Sequence, residues 1–210
     1  MIHAPSAAAT ARIRARHAPA ISGHLVVTPA VLGVGAFARL VRDGVVRELS
    51  TGSAAPHVLA ALPLVRAASL AHFVPARGAL TGLAALWVHG WRSRHPLCTP
   101  ITIAAPTGVR LSEPAGALVR WRAVTHDGSL AHSRSLAGVA VADPAAALAM
   151  ALSHDALADA IPAAWWALRT DSALATQVDK LLPKRGPSAR RAASAWRAVT
   201  TAATDAQEPS

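Results

Sequence analysis

Arg39, Arg42 and Arg47 fall within nine residues of the stretch "FARLVRDGVVREL". Guanidinium groups at that spacing suit phosphate and base-edge recognition, because each carries five donors in a planar fork and a charge that does not titrate. Upstream, Arg12, Arg14 and Arg16 alternate through a segment without acids. That is the pattern of a basic arm that follows phosphates or enters a minor groove. Asp43 and Glu48 sit inside the first cluster and damp its charge, so a solvated helix edge is the alternative reading. Nineteen Arg against two Lys in an Ala-rich chain also fit a GC-rich genome that leaves Arg as solubilising surface.

The net charge of +10 is unevenly placed. Residues 1–142 hold fourteen Arg against four acids, whereas seven basic residues balance seven acids from Asp143 onward. An anionic partner is therefore expected on the first part of the chain, with double-stranded DNA as the leading candidate.

Other chemistries find little support. Ten histidines are scattered from His3 to His154 with neither an HExxH string nor a Cys/His ladder, and Cys98 stands alone. A metal-dependent nuclease needs clustered carboxylates with a lysine, yet only Asp43, Glu48, Glu113 and Asp127 precede Asp143. No GxSxG elbow occurs, and Ser129 with His132 in "DGSLAHS" reads as a surface turn. "GVG" at 33–35 is too short for a phosphate loop. The sequence thus predicts no enzyme, no metal and no cofactor. The run 17–38 after three arginines imitates a secretory leader, but Pro19, Gly23, Pro29 and Gly33 interrupt it. No stretch of 18 clean apolar residues occurs, so a cytoplasmic protein without membrane contact is expected.

Which elements would position the arginines? Thr28-Pro29 reads as a helix start, and Gly33 and Gly35 as breaks. Residues 36–42 space Phe37, Leu40 and Val41 as an amphipathic helix with Arg39 and Arg42 on another face. Asp43-Gly44 makes a turn, 45–49 a strand, and "STGSAAP" a closing loop, which together lay out a winged helix-turn-helix. A helix follows over 57–73, which Pro63 starts, kinks or divides. In "ALTGLAALWVHGW" Thr81 caps a helix whose Leu83, Leu86 and Trp87 face the core, Gly90 ends it, and His89 bonds backbone at the corner. Strands are expected at 100–106 and 117–124, the second with Val119, Trp121 and Ala123 opposite Arg120 and Arg122. A third at 136–144 runs into a helix announced by Asp143 and Pro144. Further helices begin near Asp155, Asp171 and Ser188.

Taken in order, "FARLVRDGVVREL", "GALTGLAALWVHGW", "PITIAAPTG", "VRWRAV" and "GVAVADPAAALAMAL" resemble the AbiEi-type antitoxin and transcriptional regulator family of type IV toxin–antitoxin systems, in its actinobacterial form. The resemblance spans about residues 25–155, and no nuclease-like C-terminal domain is expected beyond it. It implies a DNA-binding module that autoregulates its operon and a second domain that counters a nucleotidyltransferase toxin without a stable complex.

The reading is an α+β protein. It comprises a basic arm or first helix at 1–19, a small winged helix-turn-helix, intact or degenerate, at 20–53, a mixed domain with a short sheet and a helical end at 54–203, and a tail at 204–210. Its DNA-binding residues would be Arg39, Arg42, Arg47, Arg12, Arg14 and Arg16. The alternatives are a protein of the same lineage that acts through protein contacts alone, and a divergent restriction-like nuclease.

Overall fold

The computed structural model describes residues 26–50, 52–91, 100–109, 111 and 121–205. It is an α+β chain that divides into two units, one reaching to Ala71 with Ser135–Val139, the other comprising His72–Arg134 with Ala140 onward.

The first unit is built on a short extended segment, two helices and a hairpin. Val27 pairs with Ala54, amide to carbonyl in both directions at 2.7 and 2.9 Å. Pro29 then opens α1 (Pro29–Leu32) in the first-turn position where its missing N–H costs nothing. Gly33, at φ 78°, turns the chain, and α2 (Val34–Arg42) starts at the next residue. Gly35 therefore lies inside a helix instead of breaking one, because Gly33 alone supplies the left-handed corner. Phe37 is buried, and Leu40, Val41 and Val27 pack with it against Val46 and Ala54.

After Asp43 and Gly44, β1 (Val46–Ser50) and β2 (Ser53–Pro56) pair antiparallel, with Arg47 opposite Ala55 and an irregularity between Glu48 and Ser50. The sequence reads "STGSAAP" as loop; Ser53, Ala54 and Ala55 are instead buried strand residues whose small side chains carry no β signal. Extended segment, helix, helix and hairpin thus follow one another in that order along this unit. Pro63 starts α3 (Pro63–Leu70), and Ser50 Oγ donates to the Ser69 carbonyl at 2.9 Å. Through β2 and α3 the unit runs past the expected boundary at 53/54.

The second unit carries most of a mixed sheet of order β5-β4-β3-β7-β6. Its strands are β3 (Ala79–Thr81), β4 (Ile101–Ala105), β5 (Trp121–Thr125), β6 (Ser133–Leu136) and β7 (Val139–Ala142). β4 runs antiparallel to β3 and parallel to β5, and Leu80 pairs in parallel with Val141. On edge strand β5, Arg122 and Ala123 are both exposed, so the expected alternation does not hold there; residues 117–120 lie outside the described residues.

Between β3 and β4, α4 (Gly82–Val88) buries Leu83, Leu86 and Trp87 as the sequence predicts. Gly90 at φ 86° closes it: the Gly90 amide donates to Trp87 O at 3.0 Å and the Trp91 amide to Leu86 O at 2.9 Å, a Schellman end. After α5 (Asp127–Ala131) and the β6–β7 pair, Asp143-Pro144 opens α6 (Pro144–His154). Every residue from Ala145 to Ser153 is buried, and α6 touches α4 and the three helices that follow it. Its alanines let those neighbours approach closely, which makes it the core of the unit.

The remaining helices are α7 (Leu157–Thr170), α8 (Leu174–Leu181) and α9 (Pro187–Asp205). α9 thus continues beyond the boundary expected at 203. Trp196 Nε1 donates to Asp179 Oδ1 at 2.7 Å and pins α9 to α8.

Candidate nucleic-acid interface

At 3.6 residues per turn, Arg39 and Arg42 adjoin each other on the side of α2 opposite buried Phe37, and both are exposed. The Arg42 side chain is 73% exposed and its Nε lies 3.1 Å from Asp43 Oδ1. Such a surface pair is worth little, so Arg42 remains available to an anion. At the junction of α1 and α2, Val31 and Val34 are 74% and 75% exposed. The start of α2 therefore presents methyl groups and its end presents cations.

Arg47 is exposed on β1. Beside it, Arg66 of α3 is half-buried, with its Nε donating to the Ala60 carbonyl at 3.1 Å. Burial first, and the Arg47 charge second, hold the Arg66 guanidinium below its ordinary value. Sequence reasoning missed Arg66, since it lies nineteen residues beyond Arg47 in an apolar helix and no spacing links them. Arg12, Arg14 and Arg16 lie outside the described residues.

The second unit pairs other side chains. Ser129 is buried, not part of a surface turn, and its partner is His126 rather than His132. His126 Nδ1 lies 2.8 Å from Ser129 Oγ and also accepts the Ser129 amide at 2.8 Å, which caps the first turn of α5.

His89 meets its expectation: Nε2 lies 2.9 Å from the Ala142 carbonyl, and Arg134 Nη2 lies 3.4 Å from Nδ1. Nε2 donating and Nδ1 accepting is the neutral ring. Burial is the main force holding His89 below the usual imidazole range; Arg134 adds to it, and the Ala142 bond and Asp143 oppose it. Among the described residues, no three His, Cys, Asp or Glu side chains gather as metal ligands, and no helix is long and apolar enough to cross a membrane.

No family model matches the chain, and no curated protein matches it. Among solved structures, it is similar to the crystal structure of the Rv2827c protein from Mycobacterium tuberculosis, with 20% identity and a TM-score of 0.45, over 97% of this chain and 82% of that one.

Proposed function

We propose that the chain is a cytoplasmic DNA-binding transcriptional regulator of the antitoxin type, with no catalytic reaction of its own. The observation that carries this reading is the pair Arg39 and Arg42, exposed together on the face of α2 that points away from Phe37. In a helix-turn-helix the second helix enters the major groove, its first residues meet base edges and the hairpin meets phosphates. Here Val34 and Val31 would contact thymine methyls, Arg39 and Arg42 guanine edges or phosphates, and Arg47 the backbone from the wing.

A duplex from the protein's own upstream region should be bound by the full chain and bound far more weakly by the Arg39→Ala/Arg42→Ala double variant. Failure of the wild type to bind at low salt overturns the reading. The toxin-countering half rests on the resemblance to AbiEi-type regulators. It predicts that co-expression relieves the toxicity of a neighbouring nucleotidyltransferase although the two do not co-purify.

The exposed Val31 and Val34 also favour a second reading, in which the same surface docks a protein and no DNA. The binding experiment separates the two.

A further inference from the structure

Three side chains far apart in sequence meet at the end of α6. Arg122 comes from β5, His154 is the last residue of α6, and Arg191 comes from the start of α9. With Pro100, Asp155 and Ala156 they line a cavity of about 310 Å³. Small-ligand cavities begin at roughly that size, near 300 Å³.

Backbone holds the two guanidiniums in place. Arg122 Nη1 donates to the His154 carbonyl, while Arg191 donates from Nη1 to Ser153 O at 3.2 Å and from Nη2 to Asp155 O. Carbonyls fix the cations without neutralising them. Those bonds use one of the five N–H donors of Arg122 and two of those of Arg191. The one carboxylate in the lining, Asp155, directs Oδ1 to Thr102 Oγ1 at 2.5 Å and Oδ2 to the Leu83 amide at 2.7 Å. The cavity thus gathers two anchored cations and an imidazole around a single, committed acid. Burial first, then Arg122, His126 and Arg191, hold the His154 imidazole below its usual range.

We propose that this cavity binds a phosphate group carried by a ligand about the size of a mononucleotide. Forked guanidiniums match phosphate oxygens in pairs, and the cavity leaves room for more than the anion. The site is independent of the proposed interface on α2 and β1, and it stands or falls without it.

The test uses the full chain, followed by calorimetry and by the histidine NMR resonances, titrated with inorganic phosphate and with a nucleoside 5′-monophosphate. Saturable binding with a Kd at or below about 1 mM is expected. Arg122→Gln should weaken it at least tenfold, and the His154 titration should move upward in the complex because an anion favours the imidazolium. Arg122 is exposed, so its variant should stay folded; Arg191→Gln is the second variant and thermal melting checks both.

A short duplex added to the Arg39→Ala/Arg42→Ala protein separates the sources: competition with phosphate assigns the group to a nucleic-acid backbone, and its absence to a small ester. The proposal is overturned if neither phosphate nor the mononucleotide binds saturably up to about 10 mM, or if both folded variants bind like wild type. In either case the two arginines serve only to cap α6.

Discussion

Asp155 Oδ2 accepts the backbone N–H of Leu83 at 2.7 Å across 72 residues of sequence. The first amides of a helix lack partners within it, and Thr81, at the N-cap of α4, makes no side-chain cap. Asp155 takes that place from the end of α6, and its other oxygen accepts Thr102 Oγ1 of β4. One buried carboxylate therefore ties two helices and a strand. Asp155→Ala should cost about 3 kcal/mol by leaving a buried amide and hydroxyl unpaired. Urea unfolding measures it, and a loss under about 1 kcal/mol would refute the role.

Gly82 and Gly35 should respond to alanine with opposite signs. At Gly82, φ is 58° and an added Cβ would land on Asp155 Oδ2, so Gly82→Ala should destabilise by about 3 kcal/mol or more. At Gly35, inside α2, a Cβ meets nothing within 4 Å, so Gly35→Ala should stabilise by roughly 0.5–1 kcal/mol. Thermal melts of the two variants check the pair; equal shifts would contradict the geometry.

Acid should weaken the fold through its half-buried imidazoles. His89 and His154 are both held below the ordinary range, chiefly by burial. The unfolded chain then binds more protons than the folded one, so this contribution is complete above about pH 6.5 and falls as pH drops through the folded values. His89→Ala should lose about 1–3 kcal/mol at pH 7 by freeing the Ala142 carbonyl, and its stability should depend less on pH between 7 and 5 than the wild type's. An unchanged pH slope would remove His89 from the account.

Much of the fold was legible because local chemistry marks it. Thr28-Pro29 and Asp143-Pro144 announce helices that begin at those prolines, and Gly90 ends α4 as its position implies. The missed elements lack a local mark. β3 is three fully buried residues with no alternation, and β2 is Ser and Ala. The sequence suggests a helix start at Asp155, but its carboxylate is spent elsewhere and α7 begins at Leu157. Arg39 and Arg42 were readable as a helical pair three residues apart, whereas Arg122, His154 and Arg191 meet only through the packing of β5, α6 and α9.

The salt dependence of DNA binding tests the central claim most directly. Anisotropy of a labelled upstream duplex across a salt series should give a steep negative log–log slope for the wild type, because each neutralised phosphate releases counterions. Replacing Arg39, Arg42 or Arg47 with Ala should make the slope shallower by about one per residue that contacts a phosphate. A wild type that fails to bind at about 50 mM salt, or a slope that none of the three variants changes, would contradict the account.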